Sequence, residues 1–317
     1  MNAVELTAVT KTYGSHVAVN DLNLTIPKGK IYGFIGPNGS GKTTTLRMIL
    51  SIIDPDSGNI RVLGHEGMRA ANDSVGYLPE ERGLYKKMTV QNLLSYYAEL
   101  KGLKPKVSAP RIDEWLGRME LVDWKKKKIE QLSKGMAQKV QFLATILHRP
   151  ELVILDEPFS GLDPVNLDVL RAQILRLRDE GATVIFSTHD MAMAERMCDS
   201  IMMIYKGEKV LDGTLDEIKQ RYGEDTVRLR IQGGQEHLTG LPGVKHIVDM
   251  GQYQELRFDG DPQVLLQELA SRTRVDLFEI SQPSLHDIFV RIARPHSDDE
   301  ADAAAQSTSA AKEALRV

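Results

Sequence analysis

The sequence predicts an α/β domain on a mostly parallel sheet, followed by a smaller α+β domain. Three observations predict this. From the start to about Gln220, short apolar runs alternate with helical patterns, the order that a parallel sheet with crossover helices requires. Ile31–Ile35, Leu152–Leu155 and Val184–Phe186 have the length and apolar character of strands buried on both faces. Past Gln220 the texture changes to polar and apolar residues in alternation, so the domains are read as 1–220 and 221–293. The 317 residues, 42% hydrophobic and 26% charged, suffice for one large core and one small one.

Between about Met88 and Leu147 the pattern turns purely helical, an all-helical insertion in the α/β core. Leu93, Tyr96, Tyr97 and Leu100 share one helical face, and Ile112, Trp115, Leu116 and Met119 share another. Gly102, Pro105 and Pro110 are expected to break these two helices apart. In the smaller domain Thr226–Ile231, Val244–Met250, Tyr253–Phe258 and Val275–Ile280 read as strands, with Gly251 and Gln252 between the second and third. Pro262–Ala270 reads as a helix. Pro283 is suited to the first turn of a last helix with Leu285, Ile288, Phe289 and Ile292 on its inner face. Residues 294–317 hold Asp, Ala, Ser and Glu with almost nothing to bury, so disorder is expected there.

Composition excludes several classes. Forty Lys and Arg against 44 Asp and Glu leave a net charge of -4, with no global basic field, and no nucleic-acid partner is expected. The longest apolar stretches, such as Leu152–Leu155 and Thr183–Phe186, fall far short of the roughly 18–20 residues that span a bilayer. The first thirty residues lack the charged start, apolar core and cleavage site of a secretory signal, so a cytoplasmic location is expected. The single cysteine, Cys198, excludes an internal disulfide and a cysteine-rich metal site, and is expected to be a small buried apolar group.

The chemistry lies in three segments. Gly36-Pro37-Asn38-Gly39-Ser40-Gly41-Lys42-Thr43 fits a phosphate loop between a strand and a helix that continues Thr44-Thr45-Leu46. Its glycines let backbone N–H groups turn inward on phosphate oxygens, and the helix N-terminus adds its positive dipole end. Lys42 is expected on the β- and γ-phosphates and the Thr43 hydroxyl on Mg²⁺. Leu152–Leu155 ends in Asp156-Glu157, two carboxylates at the edge of the sheet where ligands of open α/β folds bind. Asp156 suits the Mg²⁺ shell, and Glu157 can take a proton from the water that attacks the γ-phosphate. His189 ends the strand Thr183–Thr188 at the same edge, within reach of the γ-phosphate or that water.

The phosphate loop, Leu132-Ser133-Lys134-Gly135-Met136, Asp156-Glu157, Ser160-Gly161-Leu162-Asp163 and His189, in that order, resemble the nucleotide-binding subunit of ATP-binding cassette (ABC) transporters over about Val4 to Lys219. The resemblance implies a P-loop ATPase cassette with a helical subdomain at about 88–147. It further implies a head-to-tail dimer with two ATP molecules at the interface, each held by one subunit's phosphate loop and the other's signature segment. By the same resemblance Tyr13 stacks on adenine, Ser133 and Gly135 reach the γ-phosphate across the dimer, and Asp163 couples the two sites. The partners implied are a separate membrane permease and a second copy or paralogue, a homodimer being favoured because one chain carries every residue needed. The implied place is the cytoplasmic face of the membrane.

Two departures stand out. Lys134 and Met136 occupy signature positions where Gly and Gln are usual. Glu80, in Tyr77-Leu78-Pro79-Glu80-Glu81, stands where the family has Gln, at the position that senses Mg²⁺ and contacts the permease. Glu81 competes for that role, and the ordinary reading of either is an exposed acid on a loop. The glutamate version and the ending Gln282-Pro283-Ser284-Leu285-His286-Asp287-Ile288-Phe289 resemble the type-2 export branch, which includes sodium-extrusion and drug or antibiotic exporters. The rival readings are a cassette ATPase acting on DNA or ribosomes and a catalytically dead scaffold. Against the first stands the lack of sustained heptads or a second motif set; against the other stand Glu157 and His189. The run Lys125–Lys128 could form a nucleic-acid patch, but four lysines without interleaved aromatics neutralise little in an acidic chain, so it reads as a solvated loop; contact with lipid headgroups or the permease would use the same four charges.

Overall fold

The structure, a computed structural model, describes residues 1–67, 71–81, 83–222, 226–233, 237–249 and 251–293. Its first compact unit is Met1–Thr214 and its second begins at Leu215. The first unit opens with β1 (Asn2–Tyr13) and β2 (His16–Pro27), then β3 (Ile31–Ile35), α1 (Lys42–Ile49), β4 (Ser57–Val62), β5 (His65–Glu66) and β6 (Val75–Leu78). Three helices follow, α2 (Val90–Leu100), α3 (Pro105–Arg118) and α4 (Lys134–Ile146). The chain then returns to the sheet with β7 (Leu152–Asp156), α5 (Pro164–Asp179), β8 (Thr183–Thr188), α6 (Met191–Met197), β9 (Ser200–Tyr205) and β10 (Glu208–Thr214).

The central sheet has the order β10-β9-β3-β8-β7-β6, parallel except for the edge strand β10. β3, β7 and β8 are buried along their whole length, as their apolar runs predict. A second, antiparallel sheet, β2-β1-β4-β5, shares one core with the first, in which Val19, Leu22, Phe34, Leu46, Ile154 and Ile204 are packed. Because β3, β7 and β8 run the same way in register, Ile35 pairs with Thr188 and Asp156 with Ser187. Their carboxyl ends therefore open onto one edge, where the phosphate loop, Asp156-Glu157 and His189 all begin.

The helical insertion forms as expected, with two corrections. The buried face of α2 is Val90, Leu93, Leu94 and Ala98, whereas Tyr96 and Leu100, expected to face inward with Leu93, are 39% and 62% exposed. Both stripes have helical spacing, and the packing of α3 and α4 against α2 decides which one is covered. Pro110 does not break the helices apart: Pro105 opens α3 and Pro110 lies inside it, where its missing N–H removes one backbone bond and its ring crowds the carbonyl one turn back without ending the helix. Ile112, Trp115, Leu116 and Met119 are buried as expected.

The second unit contains α7 (Leu215–Arg221), β11 (Thr226–Ile231), β12 (Val244–Asp249), β13 (Gln254–Phe258), α8 (Pro262–Arg272), β14 (Val275–Ser281) and α9 (Leu285–Ala293). Its sheet is antiparallel, in the order β12-β13-β11-β14, and its core includes Val227, Leu229, Leu256, Leu265 and Leu269. The division falls ahead of the boundary read at 220, and α7, whose Ile218 is buried, goes with this unit. Pro283 does not open α9. Ser284 does, accepting the Asp287 amide at 3.2 Å while Asp287 accepts the Ser284 amide at 2.9 Å, a reciprocal cap that Pro283 precedes. The expected disorder at 294–317 lies outside the described residues. Among the described residues no helix is long and apolar enough to cross a membrane, and Cys198 is buried and free.

Candidate active site

The phosphate loop leaves β3 through a backbone that only glycine fits. Gly36 has φ 147°, and a Cβ there would lie 2.2 Å from the Ile204 carbonyl; Gly41 has φ 113°, and a Cβ would lie 2.4 Å from the Ala18 carbonyl. Gly41 is the residue before α1, which has no side-chain cap, so the first-turn amides are open to an anion. Lys42 is buried and donates from Nζ to the carbonyls of Gly36 (2.7 Å) and Pro37 (3.0 Å). Burial pushes the Lys42 ammonium below its ordinary range, opposed by the carboxylates of Glu157, Asp156 and Glu80.

A cavity of about 320 Å³ opens over this loop, lined by Tyr13, His16, Asn38, Lys42, Thr43, Thr44, Glu80 and Glu157, among others. A neighbouring one of about 380 Å³ continues along Pro37, Asn38, Gly39 and Ser40 to Tyr205 and Lys206. Tyr13, 51% exposed, presents a ring at the mouth, with Lys11 Nζ 5.8 Å from its centroid. Glu80 lines the cavity and Glu81 does not, which separates the two acids that the sequence leaves in competition. The loop that carries them is tied to α4, where Gln141 Nε2 donates to the carbonyls of Pro79 and Glu81, both at 3.4 Å.

The two carboxylates at the end of β7 are held differently. Thr43 Oγ1 lies 3.4 Å from Asp156 Oδ1, so a hydroxyl and a carboxylate oxygen face one another beside the loop. Ser187 Oγ, fully buried on β8, donates to Asp156 Oδ1 and accepts the Glu157 amide at 3.0 Å. Glu157 has φ 48°, a left-handed conformation costly for a residue with a side chain. Its Oε1 meets His189 Nδ1 at 2.9 Å, with the His189 side chain 58% exposed and that of Glu157 10% exposed. Sequence reasoning missed Ser187, Gln141 and His16. Their only signal is tertiary, apart from the position of His16 three residues after Tyr13.

Ser133, Gly135 and Asp163 are not among the residues that line the cavity. Ser133 caps α4, accepting the Met136 amide at 3.2 Å, which leaves its hydroxyl proton free to donate. Asp163 caps α5 by accepting the Asn166 amide at 3.0 Å, and hydrogen bonds from Asn166 hold its carboxyl below the usual range. Gly135 packs on Asn166, since a Cβ there would lie 2.9 Å from Asn166 Nδ2, and Lys134 Nζ lies across Gly161. The signature segment and the Asp163 loop thus form one cluster at the starts of α4 and α5.

These arrangements have counterparts in known proteins. A family model described as ABC transporter matches residues 19–160, and one described as the C-terminal domain of DrrA1-3-like ATP-binding proteins matches residues 213–293. The uncharacterized ABC transporter ATP-binding protein YhaQ of Bacillus subtilis is 39% identical over 284 residues, which is 89% of this chain and 95% of that protein. The chain belongs to the ATP-binding subunits of ABC transporters. Nod factor export ATP-binding protein I of Sinorhizobium fredii is 31% identical over 295 residues, 92% of this chain and 85% of that one. A solved structure of an ATP-binding subunit of an ABC transporter matches with TM-score 0.65 at 30% identity, covering 69% of this chain and 93% of that chain. As an ABC ATP-binding subunit the chain is an ATPase that serves transport, and the match over residues 213–293 ties it to the type-2 export branch. The reading as a cassette ATPase acting on DNA or ribosomes gains no support.

Proposed function

We propose that two copies of this chain close head to tail on two ATP molecules and drive export through a separate permease, from the cytoplasmic face of the membrane. The observation that carries the reading is Glu157 on the wall of the cavity that holds Lys42 and Thr43, with His189, which does not itself line that cavity, held 2.9 Å from its carboxylate. Lys42 and the open amides of α1 bind the triphosphate, Tyr13 stacks on the base, and Glu157 accepts the proton of the attacking water. His189, held at Nδ1 by Glu157, has Nε2 left for the γ-phosphate. Thr43 and Asp156 offer Mg²⁺ two hard oxygen donors, which suits an ion that keeps waters and phosphates as its other ligands. Bound there, the ion neutralises phosphate charge.

Dimerisation is supported by the separation of the two halves of the machinery. Ser133 and its free hydroxyl proton stand outside the chain's own cavity, so a γ-phosphate they touch belongs to a second subunit. Export is supported by the relative that bears export in its name and by the DrrA-like second unit. ATP that bridges two subunits stabilises the closed pair, and hydrolysis removes the bridge. The test is Glu157→Gln, which keeps shape and loses the proton acceptor. Turnover should fall about 10²–10⁴-fold, and light scattering with ATP should find a trapped dimer. A monomer that hydrolyses ATP at the wild-type rate would remove Glu157 from the mechanism.

A further inference from the structure

The Lys125–Lys128 run does not stand alone in the folded chain. The segment that enters α2 lies beside it: the Val90 amide donates to the Lys127 carbonyl, Gln91 to Lys125, Ile129 to Met88 and Glu130 to Lys86, each at 3.0 Å. Thr89 and Lys128 form an antiparallel bridge between the two segments. Residues 85–90 and 122–130 thus bring together six lysines, Lys86, Lys87 and Lys125–Lys128, against two acids, Asp123 and Glu130. Lys125 is paired with Asp113, and Lys128 lies 3.7 Å from Glu130. Lys86, Lys87, Lys126 and Lys127 are exposed and make no ion pair among the described residues. Among the described residues no carboxylate pairs with these four lysines, and a surface of negative charge would offset them.

Rings border the same lysines. Tyr85, next to Lys86, packs edge-on against Tyr96 at 5.8 Å, and Tyr96 against Tyr97 at 5.6 Å. Tyr85 and Val122 are 53% and 58% exposed. All six cations are lysines, flexible point charges without the planar fork that arginine offers to a particular carboxylate. Such a set suits a diffuse anionic surface, and bordering tyrosines suit headgroup depth at a membrane interface. We propose that this face of the helical insertion binds anionic phospholipid headgroups, so that the subunit holds to a negatively charged bilayer through its own residues.

The proposal stands apart from the assignment of a permease and is tested without one. The purified full chain is sedimented with vesicles of phosphatidylcholine and with vesicles of equal parts phosphatidylcholine and phosphatidylglycerol. Binding is expected on the second alone and should weaken as salt is raised. Lys126→Gln with Lys127→Gln should weaken partitioning about thirtyfold. Lys28→Gln with Lys30→Gln, the same charge removed in the turn before β3, should leave it unchanged. Both double variants should hydrolyse ATP in solution at the wild-type rate, which keeps this test separate from that of the ATPase. Binding that is absent, equal on both vesicles, or equally lost in both variants overturns the proposal, as does binding to polyglutamate with none to vesicles, which assigns the face to an acidic protein.

Discussion

Replacing Ser187 by alanine removes one hydroxyl that serves both carboxylate residues of the site. Its oxygen accepts the Glu157 amide at 3.0 Å and its proton goes to Asp156, in surroundings where Ser187 has no exposed surface. The alanine leaves a buried N–H orphaned and takes a donor from a carboxylate, a loss of about 2–3 kcal/mol. For a unit of the size of Met1–Thr214 that corresponds to a fall in melting temperature of about 4–12 °C. Glu157 also holds a left-handed backbone, φ 48°, whose cost of about 1–3 kcal/mol persists only while neighbours enforce it. Once released, that backbone shifts the carboxylate, and a displacement on the order of 1 Å costs about 10²-fold in kcat. Lys42 and its loop are untouched, so the KM for ATP should change little while the Mg²⁺ concentration for half-maximal rate rises. Ser187→Thr keeps the hydroxyl and should recover most of the rate. The assay is steady-state ATP hydrolysis across ATP and Mg²⁺ concentrations, beside a thermal melt of each variant. An alanine variant with wild-type kcat and unchanged Mg²⁺ dependence would refute the role given to Ser187.

Lys42→Ala should weaken ATP binding by calorimetry about 10–100-fold, because a charge-assisted contact to phosphate is lost while the loop backbone stays. The Lys42 ammonium is held below its ordinary value of 10.5 by burial, and a triphosphate held by Lys42 would favour its protonated form. Affinity should therefore fall as pH rises through that lowered range, with proton uptake on binding at alkaline pH that Lys42→Ala lacks; a flat profile would exclude the linkage. Glu80→Ala should retain part of the basal hydrolysis and lose stimulation by reconstituted permease, whereas Glu81→Ala, outside the cavity, should keep both. Equal stimulation in Glu80→Ala and wild type would end that assignment.

Much of the site was legible in the chain itself, because its chemistry is local. A strand, a glycine turn and a helix start succeed one another directly at Gly36–Thr43, the local pattern that suits a phosphate, and Asp156-Glu157 and His189 stand at the carboxyl ends of the buried strands β7 and β8. Consecutive residues share one backbone path, so spacing along the chain translates into position. What only the tertiary structure decided joins segments distant in sequence. Ser187 is one serine inside a strand, and it matters because parallel register sets it opposite Asp156. On α2 two apolar stripes have equal claim by periodicity, and packing of the neighbouring helices buries Leu94 and Ala98 while leaving Tyr96 and Leu100 outside. The lysines at 86 and 87 are unremarkable alone and become part of a basic face when backbone hydrogen bonds lay them along 125–128. Periodicity states which faces a segment offers, and the contacts that choose among them are made by residues far along the chain.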